Sequence, residues 1–149
     1  MSGNEKNKKW FIVMAIVLVC FAFAGAARAG TGWLERQKLL VSDCVYFGVS
    51  VSISADFAIV GAPYDDDLSG SAYIFKWNGT NWVEQQKLIA SEGAANSYFG
   101  CSVSISGDYA IVGADGNDAG TGSAYIFKRD GTSWVEQQKL TASDAAAED

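Results

Sequence analysis

Between Tyr64 and Ser71 the chain reads Asp65-Asp66-Asp67-Leu68-Ser69-Gly70, which sets oxygen donors at the first, third and fifth positions (Asp65, Asp67, Ser69) and a glycine at the sixth. This is the opening half of a calcium loop, in which carboxylates and a hydroxyl replace water around a hard cation and the glycine permits the sharp bend. The closing half is missing. A bidentate carboxylate belongs at position twelve, where Lys76 stands. In the related stretch Asp115, Asn117, Ala119, Gly120 the fifth ligand is lost as well, and Ile126 occupies position twelve. The expectation is a solvated acidic hairpin loop and no metal, with Asp65, Asp67 and Ser69 as the candidates if calcium binds.

Other chemistry is harder to assemble. The chain contains no histidine, which removes the commonest general base and the commonest metal ligand. A nucleophilic serine or cysteine would need a perturbed Lys, Asp or Glu beside it, and no motif places one. Adjacent aspartates on one loop cannot flank a glycosidic bond from opposite sides. The glycine-rich run "GADGNDAGTG" at 113–122 lacks a lysine and is followed by no helical pattern, against phosphate binding. These residues predict neither a catalytic constellation nor a cofactor. Cys44 and Cys101 are a candidate disulfide if the fold brings their Cα atoms within roughly 7 Å. The alternative is a free loop thiol at Cys44 and a small buried hydrophobe at Cys101.

The first residues bear on that choice through the compartment they imply. Lys6, Lys8 and Lys9 precede an apolar run from Trp10 to about Ala24, and Ala27-Arg28-Ala29 has the A-x-A form of a secretory cleavage site. The reading is a signal peptide over 1–29, cleaved after Ala29. Its alternative is a retained anchor, because Trp10 to Ala27 approaches the ~20 residues of a spanning helix. Cys20 follows Val19 rather than a small residue, against lipid attachment. The expected location is secreted, periplasmic or cell surface, with membrane contact only if the segment stays. Of 11 basic and 17 acidic side chains, Lys6, Lys8, Lys9, Arg28 and Glu5 leave with it; seven against sixteen remain, a net charge of −9. So acidic a surface repels phosphate backbones, which argues against a nucleic-acid partner.

The positioning elements are read from a repeat. "FGVSVSISADFAIVGAP" at 47–63 returns as "FGCSVSISGDYAIVGAD" at 99–115, "GSAYIFK" at 70–76 returns at 122–128, and "VEQQKL" at 83–88 returns at 135–140, all 52 residues on. A partial copy opens the sequence after residue 30, where "WLERQKLLVSD" at 33–43 matches 82–92 and 134–144. The organisation is thus a partial unit at 33–43, a unit at 47–92 and a unit at 99–144, within a domain of 30–149.

Each unit predicts four strands. Val49, Val51 and Ile53 alternate with Ser50, Ser52 and Ser54, a period of two that only a strand satisfies. "FAIVGA" at 57–62 is a continuous apolar run, suited to a strand buried on both faces. "SAYIFKW" at 71–77 is rich in aromatic and β-branched residues, and the more polar "NWVEQQKLI" at 81–89 suits an outer strand. Two-residue turns are expected at Ala55-Asp56 and at 107–108. Asn78-Gly79 and Asp130-Gly131 predict type I′ hairpin turns, and the former outweighs reading Asn78-Gly79-Thr80 as an N-glycosylation acceptor. Four antiparallel strands, repeated, are the pattern of a β-propeller blade.

Phe47-Gly48 followed by Gly61-Ala62-Pro63, with Phe99-Gly100 and Gly113-Ala114-Asp115 in the second unit, resembles the FG-GAP repeat, the blade unit of integrin α-subunit propellers and of many exported bacterial proteins. The resemblance implies an all-β fold of two four-stranded blades plus an extra N-terminal strand, forming part of a propeller. The calcium loop that many integrin-type blades carry before the Gly-Ala-Pro strand has no counterpart, since only "SADF" and "SGDY" stand there. The function implied is a non-enzymatic module for protein or glycan interaction. The alternative is an accessory part of a larger exported or surface enzyme. Two blades do not close a ring of about four to eight, so either a longer propeller or self-association through open blade edges is expected.

Overall fold

The computed structural model describes residues 35–117 and 120–143. The signal-peptide reading of 1–29 and the Trp33 start of the partial unit lie outside the described residues.

Both units form four antiparallel strands in chain order: β1 (Ser50–Ser54), β2 (Phe57–Ala62), β3 (Ser71–Trp77) and β4 (Trp82–Leu88), then β5 (Ser102–Ser106), β6 (Tyr109–Ala114), β7 (Ser123–Asp130) and β8 (Ser133–Leu140). The registers repeat as faithfully as the sequence, with Ser50 opposite Gly61 and Ser102 opposite Gly113. Each outer strand also carries the same irregularity. Ile74 faces Gln86 but Phe75 faces Glu84, leaving Gln85 as the extra residue, and Gln137 is its copy. Such a bulge bends the strand and re-aims the side chains beside it.

The two-residue turns at 55–56 and 107–108 form as the sequence predicts, flanked by the pairs Ser54–Phe57 and Ser106–Tyr109. Ala55 sits at φ 49 where the second unit has Gly107 at φ 55. A left-handed Cβ is strained by its neighbouring carbonyl. Ala55→Gly is therefore expected to stabilise the fold by about 0.5 kcal/mol, the relieved strain exceeding glycine's extra chain entropy, and urea unfolding would measure it.

The outer turns depart from the expected type I′ geometry. Strand pairing stops at Trp77–Trp82, so four residues form the first turn, and the Asn78 carboxamide oxygen accepts from the amides of Thr80 (2.9 Å) and Asn81 (2.8 Å). Only Gly79 is left-handed there (φ 97). In the second unit Asp130 pairs with Ser133, and Gly131 at φ 62 is the first central residue, the pattern of type II′. Asparagine satisfies the turn through its side chain instead of its own φ.

The partial unit also differs from its expected strand. Glu35–Val41 joins no ladder among the described residues. It is held instead by side chains: Leu39 and Val41 pack on the first sheet, and Gln37 accepts from the Trp82 amide (2.7 Å) and donates to the Trp82 carbonyl (2.8 Å). The same clasp links the two full units, Gln86 accepting from the Trp134 amide (2.7 Å) and donating to its carbonyl (2.8 Å).

The sheets stack face to face. One face of the first sheet (Phe57, Ile59, Ala72, Ile74, Leu88) packs on one face of the second (Ile105, Ala110, Val112, Tyr125, Phe127, Trp134), with Phe99 fully buried between them. The other face of the first sheet (Ala58, Val60, Ala62, Tyr73, Phe75, Trp82) is covered by Leu39, Val41, Cys44 and Phe47. β2 is buried along its whole length, as expected, but Tyr109 and Ile111 of β6 are exposed. Likewise Val49 and Val51, expected on an apolar face, are 45% and 42% exposed. Val103, the copy of Val51, packs on the first unit, and no described segment does so for Val51.

The serines that alternate with these residues join the units. Ser50 Oγ donates to the Gly100 carbonyl (2.7 Å), while Ser52 and Ser54 accept from the amides of Ile105 (3.2 Å) and Gly107 (3.3 Å).

Candidate functional site

The Phe-Gly and Gly-Ala dipeptides meet at one end of each sheet. Gly48 and Gly100, at φ 97 and 94, donate their amides to the carbonyls of Gly61 (3.0 Å) and Gly113 (2.9 Å). The phenylalanine before each is thereby fixed: Phe47 lies edge-on against Tyr73 and Phe75, and Phe99 against Tyr125 and Phe127. A left-handed residue that must also approach another backbone has to be glycine.

On this frame the β2–β3 loop carries the acidic run. Asp65–Leu68 makes one hydrogen-bonded turn that is not a right-handed helix, since Asp66, Asp67 and Leu68 have φ 47, 56 and 69. Short polar side chains tolerate this region better than others do. The chain that follows β4 braces the loop, with the Tyr98 and Phe99 amides donating to the carbonyls of Leu68 (3.1 Å) and Ser69 (3.0 Å) and the Ser97 hydroxyl also donating to Ser69 (2.7 Å).

Asp65 is buried beneath this turn. The Tyr73 hydroxyl donates to its Oδ2 (2.6 Å), and the Lys87 ammonium lies 3.0 Å from Asp65 and 2.6 Å from Asp66. Burial pushes the Asp65 carboxyl up, but the Tyr73 hydroxyl and Lys87 together hold it below its ordinary value. Lys87 is desolvated too, yet Asp66 and Asp65 keep it above the usual lysine range, and burial with Asp65 raises the Tyr73 phenol strongly.

Asp65 therefore contributes stability that is present above the ordinary carboxylate value of 3.8 and is lost as pH falls below it. Asp65→Asn is expected to lower stability by about 1 kcal/mol near neutrality and to flatten the acid limb. The check is urea unfolding at pH 6 and pH 3, where the parent should lose more between the two than the variant does.

Of the calcium candidates, Asp65 is engaged by Tyr73 and Lys87, Ser69 Oγ donates to the Asp66 carbonyl (2.7 Å), and Asp67 is exposed. A cation here would have to displace the ammonium from Asp65. Among the described residues no three carboxylate or thiol side chains form a metal-holding group. The spatial counterpart of Asp65 is Asn117, 52 residues on, whose amide donates to the Tyr125 hydroxyl; pairing the loop with Asp115 set it two residues out of step. Cys44 and Cys101 are both free thiols. Cys44 packs against the face that contains Tyr73, whereas Cys101 stands at the head of β5, and desolvation raises both pKa values. The shift favours the protonated thiol over the nucleophilic thiolate at both positions.

Beside the acidic turn stands a row of aromatics that the sequence reading did not single out. Tyr64 contacts Tyr46 (centroids 5.0 Å) and Tyr98 (5.7 Å), both edge to face. Tyr46 and Tyr64 are 56% and 43% exposed. Tyr46 and Tyr98 are one repeat apart, each preceding a Phe-Gly, so starting the repeat one residue earlier would have found two of the three. Exposed tyrosines next to carboxylates offer apolar faces with polar tips.

In comparison with models of known protein families, the model described as FG-GAP repeat matches residues 33–75 and 82–127. A search of curated proteins finds no match.

Proposed function

Because the chain belongs to the FG-GAP repeat family, and its two stacked four-stranded sheets are consistent with propeller blades, we propose that it is an exported, non-enzymatic β-propeller module, part of a larger ring, that binds a protein or glycan partner. The observation that carries this reading is the row Tyr46, Tyr64 and Tyr98, the first two exposed and the third half-buried, beside Asp66 and Asp67, on loops braced by a rigid double sheet. Binding residues concentrate on such loops because the scaffold fixes them at little entropic cost. FG-GAP repeats occur in extracellular or surface proteins, and the charge pattern of residues 1–29 agrees with export.

The test is a titration of neutral oligosaccharides and of basic peptides against the purified chain, followed by tyrosine and tryptophan fluorescence. One of the two classes should bind, and Tyr64→Ala should weaken it about tenfold, the loss of one aromatic contact of roughly 1.4 kcal/mol. Saturation by neither class, or equal binding by the variant, would overturn the reading.

A further inference from the structure

The face of the first sheet that is buried by the second unit is written again on the second sheet, with Tyr109 in place of Phe57 as the one change among its apolar residues. Phe57, Ile59, Ala72, Ile74 and Leu88 are at most 9% exposed. Their copies Tyr109, Ile111 and Leu140 are 52%, 38% and 38% exposed, and Ala124 and Ile126 are partly so. Ser102, Ser104 and Ser106, copies of the serines that bond the first unit to the second, are exposed. Where Gly61 receives the Gly100 carbonyl, the second sheet has instead an open depression of about 170 Å³ lined by Ser102, Val103, Ser104, Ile111, Gly113 and Ala124. A surface that keeps both the apolar residues and the polar joints of a known interface is complementary to the other side of that interface. This chain carries that other side on its first unit, in Ala58, Val60, Tyr73, Phe75 and Trp82, which its own Leu39, Val41, Cys44 and Phe47 cover.

We propose that the open face of β5–β8 is a docking surface for a second copy of this chain, whose first unit it meets head to tail as the second unit meets the first within one chain. The repeat also shows what gates the contact. Gln86 holds Trp134, so Gln138 would hold the second copy's Trp82. That backbone is already clasped by the copy's own Gln37. The N-terminal segment Glu35–Val41 and β8 compete for one position, and association requires the segment to be lifted.

The register is tested by crosslinking. Ser54 Oγ meets the Gly107 amide within the chain, so Ser106 of one copy should lie beside Ala55 of the next. Full-length chains carrying Ser106→Cys alone and Ala55→Cys alone, mixed in mild detergent and oxidised with a glutathione buffer, should give a disulfide dimer absent when either is mixed with parent. Gly113→Ala in the Ser106→Cys chain should abolish the dimer, because its Cβ fills the depression. Gln37→Ala in the Ala55→Cys chain should raise the yield severalfold. No mixed dimer even with Gln37→Ala, or a dimer indifferent to Gly113→Ala, would overturn the proposal; dimerisation without ligand binding would leave it standing and count against the binding module alone.

Discussion

Replacing Gly61 with alanine lowers stability by about 3 kcal/mol, while the same change at Gly113 lowers it by less than about 1 kcal/mol. The two glycines share a sequence context, a strand position and a register partner. They differ in what stands above them. A Cβ on Gly61 would lie 2.0 Å from the Gly100 carbonyl oxygen and 2.3 Å from Ser50 Oγ. Backbone cannot step aside as a side chain can, so relief means separating the sheets. At Gly113 the nearest atoms are Ser102 Oγ at 2.3 Å and Cys101 Sγ at 3.5 Å, both at the ends of side chains that can rotate. Thermal unfolding of the pair checks this: a midpoint drop of roughly 10 °C for Gly61→Ala and a few degrees for Gly113→Ala. Equal drops would mean that the first sheet is not closed upon by the second.

Phe99→Ala is the second large effect, about 3–5 kcal/mol, and Phe47→Ala should cost only about 1–2 kcal/mol. Both phenylalanines precede the left-handed glycine and both lie edge-on to a tyrosine and a phenylalanine. Phe99, however, is 0% exposed and belongs to the cluster shared by the two sheets, whereas Phe47 is half-buried on the outer face of the first. Removing Phe99 leaves a cavity walled by two rigid sheets, which collapses poorly. Urea midpoints for the two variants measure the difference. A cost at Phe47 as great as at Phe99 would show that the ring matters only within its own unit.

These contrasts locate what was legible in the sequence. Strand type and order came directly from alternation and from the 52-residue period, because a strand's side-chain pattern is a local property of the chain. Gly61 and Phe99 were legible as motif residues, but their unequal weights were not, since those depend on which face the next unit covers. The serines of β1 read as the ordinary polar half of an alternating strand; only stacking shows that they join one sheet to the next. The N-terminal segment looked like a strand because it copies one, and it makes no ladder because no described strand lies beside it. In the acidic run the residue types were plain, but the salt bridge to Lys87, 22 residues from Asp65, depends on the β3–β4 register. The tyrosine row was hidden for a related reason: Tyr64 comes from one loop and Tyr46 and Tyr98 from two linkers, brought together only by the folded end of the sheets.

The central claim is that the repeat period measures two sheets packed face to face. Phe57 of the first sheet and Trp134 of the second lie edge to face with centroids 5.7 Å apart, and no local structure could bring residues so distant in sequence into contact. Nuclear Overhauser spectra of the isotope-labelled chain should show cross-peaks between the Phe57 ring and the Trp134 indole, together with one from the Gly107 amide to the Ser54 β-protons. Strand-specific cross-peaks within each sheet, with none between Phe57 and Trp134, would mean two independent sheets and would contradict the account.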